Sequence, residues 1–369
     1  MENTVRSGAD VLETLPGKPA LRVGLITNPT GVTAKLRPTY DILREKFTLA
    51  ALFSPEHGVR GDAQAGAEVA AYTDRETGLP VYSTYGPGKE AALEAMQTLD
   101  CVFFDIADIG SRYYTFQYTM TEAMEVCGKA GVPFVVLDRP PVIGCRAEGN
   151  LLEPACASFV GKYATAARTG LTIGEFARYI NASEKLGCPL TVLPCERVKR
   201  TMYYEETGLP FVPPSPNLPT VDAALVYVGT CLLEGTNLSE GRGTTKPFEL
   251  LGAPWLNSRA VIAAMGRQEG CLLREAYFTP SFSKHTGTLC AGIQIHITRR
   301  EDFQPFEVGL RLLCTIRRLH PELAYTPFLK HLFGSMAIYE EDFDCEAYLV
   351  GQQAPLCAYR KAIEPYFLY

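Results

Sequence analysis

The stretch SPEHGVRG (54–61) follows directly on the apolar run TLAALF (48–53). An acid, an imidazole and a guanidinium leave the core together there. Glu56, a carboxyl at the rim of an apolar sheet, is well placed to give or take a proton. His57 could move a proton itself or orient Glu56. Arg60 offers a cation to an anionic group. A second group, DIADIGSRYYTFQY (105–118), supplies Asp105, Asp108, Arg112, Tyr113 and Tyr114. Two flat rings beside a guanidinium suit a sugar that carries an anionic substituent. The aspartates could equally form a turn or cap the next helix. A third group, EGTNLSEGRGT (234–244), holds Glu234, Glu240 and Arg242 on a glycine-rich loop. Its backbone amides can approach an anion or sugar oxygens. Asn217 sits in the proline-stiffened PSPNLP (214–219), and Lys284 and His285 in SFSKHTG (281–287).

These residues need elements to carry them. LRVGLIT (21–27), TLAALF (48–53), CVFFDI (101–106) and PFVVLD (133–138) read as buried strands. TYDILREKF (39–47), with Thr39 as a cap, GKEAALEAMQTL (88–99) and TMTEAMEVCGKAG (119–131) have helical spacing. Apolar strands separated by helices predict a parallel sheet covered on both faces. The four strands end at Asn28, at Glu56-His57, at Asp105 and Asp108, and at Asp138-Arg139. Open α/β sheets bind ligands beyond the carboxyl ends of their strands. The polar groups therefore mark the rim of a site. The fold class expected is α/β, with a Rossmann-like parallel sheet over residues 1–150. A smaller mixed α+β part follows over 151–369, with a helix at 171–187, a strand at 190–195, apolar VDAALVYVGTCLL (221–233), strands at 274–282 and 290–298, and an amphipathic helix at 306–320.

Several function classes are disfavoured. The chain has 369 residues, a net charge of −6 and no block of Lys or Arg, which argues against nucleic acid. No run approaches the roughly 20 apolar residues of a membrane span, and the first residues lack a signal peptide's apolar core. The twelve cysteines are scattered, none in a CxxC pair. Reduced thiols in a cytoplasmic protein are expected, or an exported protein if the chain is a trimmed form. Five histidines lie far apart, so neither a metal site nor any cofactor is expected. NPTG follows the first strand instead of GxGxxG, against a dinucleotide.

Taken together, TNPTG, SPEHGVRGDAQAG, TGLPVYSTYG, DIADIGSRYYTF, VLDRPP, PSPNLP, EGTNLSEGRGT and FSKHTGTLCAGIQIH occur in the order found in the NamZ-like exo-β-N-acetylmuramidases, which this chain resembles from about Gly8 to about His320. The resemblance implies a cleft between two domains. It also implies a glycoside hydrolase that releases N-acetylmuramic acid from the non-reducing end of peptidoglycan-derived disaccharides or muropeptides. The lactyl carboxylate of that sugar would match Arg60, Arg112 or Arg242. Glu56 would be the general acid, and Asp105 or Glu234 the second carboxylate, unless the substrate's acetamido group assists. Asn28, Asp108, Tyr113, Tyr114, Asp138, Arg139, Asn217, Glu240, Lys284 and His285 would line the substrate site. A non-catalytic muropeptide or amino-sugar binding protein is the alternative from another class.

Overall fold

The structure is a computed structural model, and it describes residues 4–56, 58–61, 71–84 and 86–369. Its main sheet has seven strands: β1 (Arg22–Thr27), β2 (Thr48–Ser54), β3 (Tyr72–Thr73), β4 (Pro80–Ser83), β5 (Cys101–Asp105), β6 (Phe134–Leu137) and, after an inserted hairpin, a last strand at Leu190–Leu193. The hairpin pairs β7 (Glu148–Leu151) with β8 (Ala166–Arg168), so Leu190–Leu193 is β9. The order across the sheet is β3-β4-β2-β1-β5-β6-β9, parallel throughout except for β3. The first strand is central and later strands are added outward on either side. That is the doubly wound arrangement, and the winding reverses between β1 and β5. The sheet runs on past residue 150, because β9 pairs with β6 from Phe134↔Leu190 to Leu137↔Leu193.

Alternation along each strand sends side chains to two layers. Val23, Leu25 and Phe103 meet Ala9 and Leu12 of α1 (Gly8–Thr14), and Ile42 and Leu43 of α2 (Thr39–Lys46). Ile26, Val102 and Phe104 meet the other face. There lie α3 (Lys89–Met96), α4 (Phe116–Ala130) and α5 (Ile173–Ser183). Helix α5 begins with a capping box, in which Thr172 Oγ1 accepts from Glu175 N and the Glu175 carboxylate accepts from Thr172 N. Helix α2 starts differently from expectation. Pro38 occupies the cap position, and the Thr39 hydroxyl donates instead to Asp105.

The second part packs α6 (Val221–Thr230), α7 (Ser258–Met265) and α8 (Pro305–Leu319) with the antiparallel strands β10 (Leu250–Ala253), β11 (Cys271–Phe278) and β12 (Cys290–Ile297). Helices α6 and α8 cross at Gly229 and Gly309, where a Cβ on Gly309 would lie 2.5 Å from the Gly229 backbone. The last residues return to the first part, where Tyr369 reaches Asp138. All twelve cysteines are free.

Candidate active site

The end of β2 delivers Glu56, half-buried, to the carboxyl edge of the sheet. Thr115 Oγ1 donates to Glu56 Oε2 at 3.1 Å. Thr115 stands at the N-cap of α4 without making a cap bond, since its hydroxyl goes to Glu56. Asp108 replaces it as the cap. Its carboxylate accepts from Gly110 N at 2.7 Å and from Gln117 N at 3.2 Å, in the first turn of α4. Burial pushes the Asp108 carboxyl up to about 7, against the pull of those two amides.

Tyr114 is the hub between the two parts. Its buried hydroxyl lies beside Ser215 and within electrostatic reach of Asp108, Glu56 and Arg242. Its ring meets Phe116 edge-on at 4.9 Å and Tyr227 at 6.1 Å. Asn28, at the end of β1, reaches the same loop by donating to Pro214 O at 3.4 Å, while its Oδ1 accepts from Thr30. Asn217 is buried in that loop.

The facing wall is the loop after α6. Arg242 pairs with Glu234 at 2.7 Å and with Glu240 at 3.2 Å, over the ring of Phe248. The Glu234 side chain keeps 24% of its surface exposed, against 3% for Glu240. Burial and the nearby Glu240 raise the Glu234 carboxyl, and Arg242 pulls it back. Lys284 lies behind this loop. Its ammonium donates to the carbonyls of Leu233, Glu234 and Leu238 and to Glu240 Oε2. His285 is bonded to Asn237 O at 2.8 Å. Both residues brace the loop from within.

The remaining residues expected at the site are placed elsewhere. Asp105 is fully buried, gripped by Arg139 through both oxygens at 2.7 Å and by Thr39. Arg112 is fully buried, and its guanidinium donates to Asn150 Oδ1 and to the carbonyls of Asn150, Thr165, Leu332 and Phe333. Tyr113 is buried against Arg112 and Tyr227, with its hydroxyl on Val228 O. Asp138 bonds Gly174 N, Thr172 and Tyr369 at the start of α5. Arg60 is chelated by Asp74 and donates to the Tyr40 hydroxyl. His57 lies outside the described residues. Among the described residues, no group of three histidine, cysteine, aspartate or glutamate side chains could hold a metal ion. Thr115 and Ser215 are additions that the sequence reading did not single out. A helix-start threonine directly after a polar cluster was the available signal for Thr115.

Comparison with known proteins completes the picture. Two family models cover the chain, "Exo-beta-N-acetylmuramidase NamZ, N-terminal" over residues 23–222 and its C-terminal counterpart over 225–369. The chain belongs to the NamZ family. The match reaches the last residue, beyond the His320 to which the sequence motifs extended. A Bacillus subtilis relative, the peptidoglycan β-N-acetylmuramidase NamZ, is 49% identical over 328 residues, 86% of this chain and 78% of that one. A crystal structure of a DUF1343 family protein from Bacteroides fragilis is 33% identical, with a TM-score of 0.90 over 100% of this chain and 99% of that one. A second such protein from the same organism is 28% identical, with a TM-score of 0.77 over 99% of each chain. NamZ membership makes the chain a glycoside hydrolase rather than a non-catalytic binder.

Proposed function

We propose that this enzyme removes a non-reducing-terminal N-acetylmuramic acid from peptidoglycan-derived disaccharides or muropeptides, in cell-wall turnover. The observation that carries the reading is the aromatic bridge between the two parts: Thr115, next to Tyr114, holds Glu56 at the sheet edge, and the Tyr114 ring meets Tyr227, which meets Phe248 beneath Arg242. An acid from the sheet edge and a cation from the loop after α6 are thus joined through one aromatic cluster. Among relatives, the Bacillus subtilis protein named a peptidoglycan β-N-acetylmuramidase supports the substrate class.

Glu56 gives its proton to the glycosidic oxygen as the bond from that oxygen to the muramic C1 breaks. Thr115 fixes the carboxyl. Glu234 is the second carboxylate, because its side chain keeps 24% of its surface exposed whereas both Asp105 oxygens are engaged in a buried pair. Glu234 either directs water to C1 or steadies the acetamido group as that group attacks. Arg242 recognises the lactyl carboxylate, because it stands beside Glu234 on the loop after α6, whereas Arg112 is fully buried among backbone carbonyls and Arg60 is chelated by Asp74. Asp105 and Arg139 hold the sheet edge, and Asp108 and Tyr114 orient the cleft floor. Free thiols throughout favour a reducing compartment, the cytoplasm.

Hydrolysis of para-nitrophenyl β-N-acetylmuramide, set beside the N-acetylglucosaminide, tests this. Release from the muramide alone, weakened by Arg242→Met mainly through KM, is the expected result. Equal release from both sugars would remove lactyl recognition from the account.

A further inference from the structure

Helix α8 is fastened along one side to the chain's C-terminal segment. Arg311 grips the Glu346 carboxylate through Nε at 2.7 Å and Nη2 at 3.0 Å. Two turns on, Arg317 donates to Ile338 O at 3.0 Å and to Glu340 O at 2.9 Å. Between these two arginines stands Cys314, and opposite it is Cys345, the first residue of the helix Cys345–Gly351 and the neighbour of Glu346. The Cys345 thiol donates a hydrogen bond to Cys314 Sγ. Both thiols are half-buried, and both line one groove of about 710 Å³ together with Met265, Thr315 and Arg317. Thiols in the core behave otherwise, since burial pushes Cys101, Cys127 and Cys188 up to about 12. Cys314 is held below its ordinary value, first by the bond from Cys345 and then, against burial, by Arg317. Glu346 and Asp344 oppose Arg317 there. The same bond between the thiols holds Cys345 above its ordinary value.

We infer that Cys314 and Cys345 form a redox-modification site, which hydrogen peroxide converts to a disulfide that staples α8 to the C-terminal segment. The thiolate is the reacting form of a cysteine, so Cys314 reacts first. Its sulfur attacks one peroxide oxygen and the O–O bond breaks. A sulfenic acid is left on Cys314 and one water is released. The Cys345 sulfur gives up its proton and attacks the Cys314 sulfur. The S–S bond forms, the S–O bond breaks and a second water departs. Two thiols and one peroxide thus give one disulfide and two waters, with two electrons passing from the sulfurs to the peroxide. A dithiol reductant reverses the change. The Arg311–Glu346 fork holds the two elements together while the sulfurs exchange bonds. A bond that closes a loop of about 30 residues restricts the unfolded chain and shifts the folding equilibrium roughly a hundredfold toward the folded state. The stapled segment runs on to Tyr369 and its bond to Asp138, so the link steadies the docking of the chain's end.

The test treats the full chain with hydrogen peroxide, removes the excess and maps the unreduced peptides by mass. Wild type should show a Cys314–Cys345 cross-link and a higher denaturant midpoint than the reduced protein. Dithiothreitol should return both to the starting state. Cys345→Ser should stop at the Cys314 sulfenic acid, which dimedone traps, with no gain in midpoint. Cys357→Ser, which removes an exposed thiol, should keep both the cross-link and the gain. Peroxide that leaves Cys314 and Cys345 unlinked in wild type overturns the inference, as does a cross-link that brings no rise in midpoint. The wild-type map does not depend on how any variant folds.

Discussion

Thr115 and Glu56 are 59 residues apart in sequence and 3.1 Å apart in the fold. A threonine hydroxyl taken from helix capping and given to a carboxyl fixes that carboxyl's orientation. Misplacing a reacting group by about 1 Å can cost about a hundredfold in rate, so Thr115→Val should lower kcat about tenfold or more. KM should change little, and steady-state kinetics on a muramyl disaccharide will read the split. Glu56 was legible in sequence because a charged group immediately after an apolar strand can only be at the sheet rim. Thr115 was not, because its role depends on a partner that the sequence does not place. Arg112 makes the same point in reverse. Its tyrosine neighbours suggest an anion site, yet the fold turns its guanidinium onto carbonyls of β7, of the segment before β8 and of residues 332–333. Sequence gives the residue type and not the direction of the side chain.

Elements with a strong period were readable. The apolar runs at β1, β2, β5 and β6 form strands, and α8 spans Pro305–Leu319 against an expectation of 306–320. The short strand β4 was missed. It has four residues, begins with proline and alternates in burial, so it carries little signal. The hairpin of β7 and β8 was missed as well, since its strands are four and three residues long. The α6–α8 crossing was equally silent, because a glycine in a helix has no sequence mark of what it touches. Gly309→Ala would push a methyl group into the Gly229 backbone, which cannot move aside without parting the helices. Such overpacking costs about 1–3 kcal/mol. The expected outcome is a lower denaturant midpoint, with turnover per folded molecule preserved.

At the scale of the whole molecule, the chain's last residues hold the first part. Tyr369 donates to Asp138 Oδ2 at 2.7 Å and accepts from Cys195 N at 2.6 Å. Burial raises the Asp138 carboxyl to about 6, against hydrogen bonds from Tyr369, Gly174 and Thr172 that favour its charged form. Nearby Glu175 raises it further. The sign follows directly. Between about 4, the ordinary value, and 6, the folded state keeps a proton that the unfolded state has released. Stability therefore falls as pH rises through that window and levels off above it. Asp138→Asn removes this contribution. Denaturant midpoints at pH 4.5 and 6.5 should converge in the variant relative to wild type. A pH slope identical in both proteins would contradict the assignment. The sheet's strand order was implied by the alternation of strands and helices, but the return of the chain's end to β6 was not, because it is a contact across 231 residues.

The central claim is that Glu56 protonates the leaving oxygen. The most direct measurement compares wild type with Glu56→Gln on the muramyl disaccharide and on a dinitrophenyl β-muramide, whose leaving group departs without a proton. General-acid loss costs about a hundred- to ten-thousandfold where protonation is needed. The account predicts a loss of that size on the disaccharide and a much smaller one on the dinitrophenyl substrate. Equal losses on both, or full turnover of the disaccharide by the variant, would contradict it.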